Sequence, residues 1–231
     1  MSHSTILIAG ASRGLGLALV AEFLARDWHV IGTERGGART ELHDLADRHP
    51  GRVEIEALDI IDPTQTAALA TRLAGRTLDM LFVNAGTTTQ DPKILMADAA
   101  DDEFARVMAT NVLGPIRVIQ ALGDLVPVGG LVGAMSSGQG SIANNENGRG
   151  EIYRSSKAAL NMALRSFAAR DTGNGRAIVA MAPGWIRTAL GGDQAPFTME
   201  EAIPMVADTL LAARATPGIH YLDRFGATVP W

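Results

Sequence analysis

The sequence predicts an α/β protein with a doubly wound parallel sheet of about seven strands and helices on both faces. Short apolar segments such as Ile6–Ala9 and Leu78–Val83 alternate with longer segments that have helical apolar spacing. Each apolar segment is followed by glycine or polar residues, which would meet at one edge of a parallel sheet. No linker, repeat or composition shift divides the chain, so one domain covering residues 1–231 is predicted.

The composition is that of a globular protein, with 47% hydrophobic and 19% charged residues. The net charge is −5 and no dense Lys/Arg block occurs, so nucleic acid is not an expected partner. Cysteine is absent, and no uncharged stretch reaches the ~18 apolar residues of a membrane span. These features predict a soluble cytoplasmic protein without a membrane partner. No metal is expected, because the histidines lack ligand spacing; they are His3, His29, His43, His49 and His220.

The predicted elements follow one another in a regular order. Strands are expected at Ile6–Ala9, Trp28–Thr33, Arg52–Leu58, Leu78–Val83, Gly130–Met135, Arg176–Ala182 and Gly218–Leu222. Helices are expected at Leu15–Arg26, Ala38–His49, from Asp62-Pro63 onward, Asp101–Leu122, Glu151–Arg170 and Met199–Ala213. Asp62 is a predicted N-cap with proline at the first helical position. The acidic start of the long helix, Asp101–Glu103, suits the helix macrodipole better than it suits a catalytic carboxylate pair.

The stretch Thr5–Gly16 joins the first strand to the first helix through Gly10, Gly14 and Gly16. Glycines in a turn between strand and helix let backbone N–H groups approach a pyrophosphate, and the helix N-terminus adds partial positive charge. The pattern therefore predicts a Rossmann-type nucleotide site. A tight turn without a ligand would use the same residues.

Tyr153 and Lys157 lie four residues apart in a predicted helix and so share one face. The ammonium would favour the phenolate and lower the pKa of the tyrosine from its usual ~10, so that the hydroxyl could exchange protons nearer neutrality. The alternative is a packed ring beside a solvated lysine.

Three further features support the catalytic interpretation. Ser136 and Ser137 end a strand just upstream, where a hydroxyl could hold a substrate oxygen. Asn111 is a polar residue among apolar neighbours in the long helix, which implies a buried amide that bonds backbone or holds a water. The segment Pro183–Thr188 follows a strand end and could close over a ring.

With these residues in order, the chain resembles the short-chain dehydrogenase/reductase superfamily over essentially its whole length. The resemblance implies a catalytic tetrad, which consists of Asn111, Ser137, Tyr153 and Lys157. It also implies cofactor-binding residues, which are Gly10, Ser12, Arg13, Gly14, Leu15, Gly16, Glu34, Arg35, Asp59, Ile60, Asn84, Ala85, Gly86, Tyr153, Lys157, Pro183, Gly184, Ile186 and Thr188.

The family resemblance implies NAD(P)-dependent hydride transfer between nicotinamide and the carbonyl or alcohol group of a small molecule. Tyr153 would be the acid in reduction, Lys157 would lower its pKa and hold the nicotinamide ribose, and Ser137 would hold the substrate oxygen. Asn111 would order a water in a proton relay. The alternative is a cofactor-binding signalling or sensor protein with incidental turnover. Relatives are often dimers or tetramers, so a homo-oligomer is expected.

Further details resemble the C-factor-like and carbonyl-reductase-like branch, among them Pro183-Gly184-Trp185 and Trp231. The spacing from Ser137 to Tyr153 is a few residues longer than in many relatives. Ser141 therefore remains a rival for holding the substrate oxygen, although Ser137 is favoured because it ends the strand.

NADP is the predicted cofactor, with NAD as the alternative. Arg13 in the glycine turn and Arg35 after the second strand can both reach the adenosine ribose and favour a 2′-phosphate. Glu34 opposes them, since a carboxylate there would bind a 2′-hydroxyl and repel a phosphate. The substrate itself is not specified. Plausible pocket walls, each with packing as the alternative role, are Trp185, Ile142, Phe197 and the Asn144–Asn147 loop.

Overall fold

Seven parallel strands form a single sheet in the computed structural model, which describes residues 3–231. In order across the sheet, the strands are β3 (Val53–Ala57), β2 (His29–Glu34), β1 (Thr5–Ala9), β4 (Met80–Val83), β5 (Leu131–Met135), β6 (Ala177–Ala182) and β7 (Gly218–Asp223). The strand order reverses between β1 and β4, and a crevice opens at the carboxyl ends of strands on either side of such a point. The predicted fold class is confirmed.

Helices cover both faces of the sheet because the strand residues alternate between two apolar cores. Leu7 of β1 faces the core that α3 (Pro63–Arg72), α5 (Gly114–Leu122) and α6 (Glu151–Arg170) complete. The flanking Ile6 and Ile8 face the opposite core, which is completed by helices at the other side. Those helices are α1 (Gly14–Ala25), α2 (Glu41–Arg48) and α7 (Met199–Ala213).

Most predicted bounds agree with the structure to within two residues. The predicted bounds of α6 and α7 coincide with the observed ones. Asp62 caps α3 as predicted, accepting hydrogen bonds from the backbone N–H groups of Thr64 (2.8 Å) and Gln65 (3.3 Å). The start predicted for α2 is wrong, since the helix begins at Glu41 and not at Ala38. None of the helices described between residues 3 and 231 is long and apolar enough to cross a membrane.

The long helix predicted at Asp101–Leu122 is not regular, and this prediction needs correction. It consists of α4 (Asp101–Met108), a π-helical segment at Ala109–Leu113, and α5. Asn111 lies inside the π-helical segment and is fully buried. Single π-helical turns within α-helices occur frequently at functional sites. Apolar periodicity still predicted a helix here, because the interruption lasts a single turn.

Candidate active site

The glycine turn after β1 packs against the end of β4. Gly10 has φ +86°, and its carbonyl oxygen accepts a hydrogen bond from the Asn84 side-chain amide at 2.8 Å. A Cβ at Gly16 would lie 2.0 Å from that same oxygen, so α1 can approach the strand this closely only with glycine there. Gly14 differs, because a Cβ at this position would meet no atom within 4 Å. Space is therefore left open above the start of α1.

The N-terminus of α1 retains its backbone donors for a ligand. Its N-cap is Arg13, whose side chain makes no capping hydrogen bond within the described part of the chain, and the first turn holds no acidic residue. The first N–H groups of a helix have no partner within the helix and carry partial positive charge. This donor set fits the pyrophosphate of a dinucleotide.

A cavity of about 420 Å³ lies beside this turn at the end of β2, lined by Ser12, Arg13, Glu34, Arg35, Gly36, Arg39, Thr40 and Glu41. Glu34 is 7% exposed, and its carboxylate accepts a hydrogen bond from the Thr40 hydroxyl at 2.5 Å. Arg39 pairs with Asp44 and Asp47, whereas Arg13 and Arg35 have no carboxylate partner among residues 3–231. The cavity therefore offers two cations without a carboxylate partner, Arg13 and Arg35, beside an engaged carboxylate, Glu34, and an exposed one, Glu41.

Further residues that the family resemblance assigns to the cofactor follow β3 and β4. Asp59 accepts a hydrogen bond from the Ile61 backbone N–H at 3.1 Å, which leaves its side chain in a turn at the strand end. Ile60 is buried against Gly114, where a Cβ would approach its side chain to 2.9 Å. The Ala85 backbone N–H is bonded to Ala9 and so continues the β1–β4 contact. These residues line the crevice that the strand order creates.

Tyr153, Lys157 and Ser137 meet beneath the end of β5. The Lys157 ammonium donates a hydrogen bond to the Met135 carbonyl at 2.9 Å and lies 5.7 Å from the centre of the Tyr153 ring. The Ser137 hydroxyl lies close enough to the Tyr153 phenol for a hydrogen bond to act on its pKa. Ser137 Oγ also accepts the Gln139 backbone N–H at 3.2 Å.

Burial dominates the pKa values of this pair, contrary to the sequence prediction. The pKa of Tyr153 is raised by desolvation, and the hydrogen bond with Ser137 opposes that rise only in part. Lys157 is 3% exposed, and burial lowers its pKa to about 8. The expected lowering of the tyrosine pKa by Lys157 is therefore wrong for this structure. Desolvation disfavours the charged form of both groups.

Asn111 joins α4–α5 to the crevice and to α6. Its Oδ1 accepts the Thr87 backbone N–H at 2.8 Å, and its amide donates to the Thr87 carbonyl at 2.8 Å and to Ser156 Oγ at 2.9 Å. A Cβ at Gly86 would lie 3.4 Å from both Asn111 Oδ1 and Lys157 Nζ. Of the two tasks considered for this amide, backbone bonding is the one observed.

The two serines that the sequence left in competition occupy different surroundings. Ser141 is 1% exposed, and its hydroxyl accepts the Asn144 backbone N–H at 3.2 Å within a turn. Ser137 instead adjoins the Tyr153 phenol. The geometry favours Ser137 as the serine that faces a substrate.

The segment after β6 folds back on itself at the mouth of the crevice. Ile186 is buried and pairs with Phe197, and Thr188 Oγ1 accepts the Gly191 backbone N–H at 2.9 Å. Gly184 has φ +93°, and a Cβ there would lie 2.3 Å from Nη1 of Arg224.

Arg224 holds both ends of this segment. Its guanidinium donates to the Pro183 carbonyl at 3.3 Å and lies 3.8 Å from the centre of the Phe197 ring. Phe197 is thus engaged by packing, whereas Trp185 remains 53% exposed. Sequence reasoning missed Arg224, because nothing local in the sequence links the end of β7 to the segment after β6.

Asn161 was also missed as a site residue, although a signal for it existed. Ser136 Oγ donates to Asn161 Oδ1 at 2.6 Å, so this serine is buried and not a substrate contact. Asn161 follows Lys157 by four residues on the same face of α6, which is the spacing that first singled out Tyr153 and Lys157.

Comparison with known proteins adds independent evidence. Residues 4–197 match the family model described as short chain dehydrogenase. The C-signal protein of Myxococcus xanthus is 33% identical over 166 residues, which cover 71% of this chain and 99% of that protein. A solved structure from Burkholderia multivorans, described as a short-chain dehydrogenase/reductase with bound NADP, is 54% identical over all of both chains, with a TM-score of 0.98. A carbonyl reductase from Pseudomonas aeruginosa PAO1 in complex with NADP is 31% identical over all of both chains, with a TM-score of 0.91.

Proposed function

The chain belongs to the short-chain dehydrogenase family of oxidoreductases, and we propose that it uses NADP to reduce the carbonyl group of a small ketone or aldehyde. The observation that carries this proposal is the meeting of three side chains beneath the end of β5. Tyr153 can donate a proton, Ser137 can hold a carbonyl oxygen, and Lys157 supplies a buried cation 5.7 Å from the centre of the Tyr153 ring. Similarity to NADP-bound relatives supports the choice of cofactor.

The protein offers binding groups for each part of the cofactor. The uncapped N-terminus of α1 would hold the pyrophosphate, and Arg13 with Arg35 would hold the 2′-phosphate through charge-assisted hydrogen bonds. Lys157 would bind the nicotinamide ribose, and the segment Pro183–Thr188 would cover the ring. When bound, NADPH supplies the hydride for the reaction. Glu34 weakens the preference for a phosphate less than the sequence suggests, because Thr40 already donates to it.

Tyr153 then acts as the general acid. Its raised pKa keeps the phenol protonated near neutral pH, and the protonated phenol is the form that a general acid for carbonyl reduction needs. The Ser137 hydroxyl would donate a hydrogen bond to the substrate oxygen and would stabilise negative charge as it develops there. Both side-chain amide protons of Asn111 are already donated, so its side chain would hold a water only through Oδ1.

The test is NADPH consumption against a panel of aldehydes and ketones, with Tyr153→Phe as the variant. We expect a loss of ~10²–10⁴-fold in kcat, the contribution of a positioned general acid, with unchanged Kd for NADPH. The ring keeps its packing and only the proton donor is removed. Activity within threefold of the wild type would exclude Tyr153 as the acid.

A signalling or sensor protein is the second candidate, favoured by the similarity to C-signal. Such a protein would bind NADPH but would have no need of a proton donor beside Lys157. Absence of turnover across the whole carbonyl panel, together with retained NADPH binding, would favour this candidate over the reductase.

We also propose that the protein is a homo-oligomer, a dimer or tetramer. An apolar groove of about 490 Å³ runs along the helices around the π-helical segment, lined by Ala105, Met108, Ala109, Val112, Leu113, Ile116 and Ala163. Leu113 is 47% exposed, and exposed apolar patches of this kind mark contact surfaces. Sedimentation equilibrium should show an oligomer that Leu113→Asp dissociates; a monomeric wild type would contradict the proposal.

A further inference from the structure

The segment that carries Ser137 is fastened to the fold from two sides by residues outside the proposed reaction. From α6, Asn161 accepts the Ser136 hydroxyl at 2.6 Å and donates to the Gly140 carbonyl at 3.3 Å. From β7, the Tyr221 hydroxyl donates to the backbone carbonyl of Ser137, 84 residues away in the chain. The backbone of Ser137 is therefore fixed between two elements of the core.

Tyr221 is well suited to be a permanent donor at this position. It is 1% exposed, and burial raises its pKa, so that it remains a neutral phenol. Its ring completes the apolar core between β7 and α6, while its hydroxyl reaches past that core to the strand end. Replacing the hydroxyl by hydrogen would leave the Ser137 carbonyl without this donor but would keep the ring.

Trp231 contacts both Tyr221 and the chain that follows Ser137. Its ring centre lies 5.1 Å from that of Tyr221, and the Arg165 guanidinium lies 4.6 Å from it. The Trp231 carbonyl accepts the Ala143 backbone N–H at 3.2 Å. The tail reaches this place because Val229 N–H bonds to the Tyr221 carbonyl at 2.8 Å.

We propose that Tyr221 and Trp231 are positioning residues that keep the Ser137 hydroxyl beside the Tyr153 phenol. Tyr221 acts through the backbone of Ser137, and Trp231 acts through the ring of Tyr221 and the turn at Ala143. The proposal rests on the proposed function, because it takes Ser137 and Tyr153 as the groups that meet the substrate. The competing interpretation is that both aromatic residues contribute packing alone.

The chain contains a matched control for packing at the amino-terminal end of β2. Trp28 is 7% exposed, its ring centre lies 5.2 Å from that of Phe23, and the Arg214 guanidinium lies 5.4 Å above it. It thus has the same kind of neighbours as Trp231, an aromatic ring and an arginine, but these neighbours lie outside the site. Trp28→Phe removes comparable packing without touching Ser137.

The experiment uses the fact that Tyr153 and Tyr221 are the two tyrosines of the chain. With tyrosine labelled by ¹³C at Cζ, NMR reports the ionisation of each phenol without turnover, and in Tyr221→Phe the remaining signal belongs to Tyr153. Since the Ser137 hydrogen bond lowers the pKa of Tyr153, loss of the positioning contact should raise it. We expect this upward shift in Tyr221→Phe and in Trp231→Phe, with none in Trp28→Phe.

Kinetics provide the second measurement. We expect kcat/KM to fall about tenfold in Tyr221→Phe and less in Trp231→Phe, as small misplacements of a reacting group cost this much or more. The Kd for NADPH should stay within twofold of the wild type. An unchanged Tyr153 pKa in both variants, or the same changes in Trp28→Phe, would overturn the proposal. Because the NMR titration needs no substrate, it remains decisive even if Tyr153→Phe proves fully active.

Discussion

The two edges of the sheet differ in how many of their arginines and lysines are paired with a carboxylate. At the amino-terminal edge, arginines are paired with carboxylates, as in Arg176–Asp171, Arg76–Glu54 and Arg214–Asp79. At the carboxyl-terminal edge Arg39 is paired as well, but several cations have no carboxylate partner in residues 3–231, among them Arg13, Arg35, Lys157 and Arg224. The amino-terminal edge therefore closes the fold, whereas at the carboxyl-terminal edge Arg13, Arg35 and Lys157 carry charge that no carboxylate of residues 3–231 neutralises.

The helix starts at the carboxyl-terminal edge show the same division. Asp62 caps α3, and Thr198 caps α7 by accepting the Glu201 backbone N–H. The start of α1 has no such side chain, although a cap commonly adds about 1 kcal/mol. The start of α1 thus lacks the stabilisation of a cap, and a ligand is expected to supply the missing hydrogen-bond acceptor there. The following predictions test this contrast.

The largest effect is expected at the amino-terminal edge, from Arg176→Met. Arg176 is 5% exposed and bonds to Asp171 and to the carbonyls of Gly123 and Val126. Removing the guanidinium leaves these acceptors without their donor, so the free energy of unfolding should fall by about 3–5 kcal/mol. Urea unfolding at pH 7 measures this loss, and a change below 1 kcal/mol would contradict the contrast between the edges.

The ion pair between Arg176 and Asp171 also predicts how the stability of the protein depends on pH in acid. Arg176 holds the pKa of Asp171 below its ordinary value of 3.8. The stabilisation is therefore present above that pH and is lost as the pH falls through the lower folded value. Arg176→Met should show a shallower loss of stability in acid than the wild type.

Lys157→Met should change the free energy of unfolding at pH 7 in the opposite direction, towards greater stability. The pKa of Lys157 is about 8 in the fold against an ordinary 10.5, so burial of the charge destabilises the protein below pH 8. Between pH 8 and 10.5 the folded protein releases this proton first, and the cost disappears. The variant should be more stable by up to about 3 kcal/mol at pH 7, less any loss of the bond to Met135.

Unfolding of the two proteins across pH 6 to 11 checks this prediction, since the difference must shrink above pH 8. The variant should at the same time lose turnover and NADPH affinity. A less stable variant at pH 7, or a difference independent of pH, would show that Lys157 carries no such cost.

Arg35→Ala should lower NADPH affinity about tenfold, or ~1.4 kcal/mol, and leave NADH affinity nearly unchanged. Among residues 3–231 its guanidinium has no ion-pair partner, so the variant should lose little stability. Arg76→Ala is the matched control, since it removes a paired arginine and should affect stability but not the Kd of either cofactor. Equal discrimination between the cofactors before and after the change would exclude Arg35 from the 2′-phosphate site.

Thr40→Val should have the smallest effect, about a threefold weaker Kd for NADPH. Without the hydroxyl, the Glu34 carboxylate is released towards the cavity and repels a phosphate. Thr40→Ser keeps the donor and should behave as the wild type. If the valine and serine variants had the same Kd for NADPH, the hydrogen bond from Thr40 to Glu34 would have no effect on cofactor choice.

The sequence was sufficient to predict what depends on neighbouring residues. Apolar periodicity and local end signals placed α6 and α7 correctly, and the glycine turn, Asn111 and the Tyr153–Lys157 pair were found from short patterns. The direction of the tyrosine pKa was not predictable, because it depends on how deeply the phenol is buried. Position in a helix reveals which residues share a face but not how much solvent reaches them.

Contacts between distant elements were also beyond the sequence. Nothing near Tyr221 indicates that its hydroxyl reaches Ser137, and nothing near Arg224 indicates Pro183. The engagement of Glu34 by Thr40 depends on where α2 begins, which was predicted three residues too early. The catalytic roles, the homo-oligomer and the cytoplasmic location stay predictions.

The π-helical segment has a consequence for how the chain tolerates change over evolutionary time. Successive residues of an α-helix turn by about 100°, so one additional residue in a turn rotates everything that follows relative to what precedes it. Deleting one residue within Ala109–Leu113 would restore a regular helix but turn Asn111 away from Thr87, or α5 away from its core. Length variants selected for activity should therefore avoid these five positions, even where single substitutions on the exposed side are accepted.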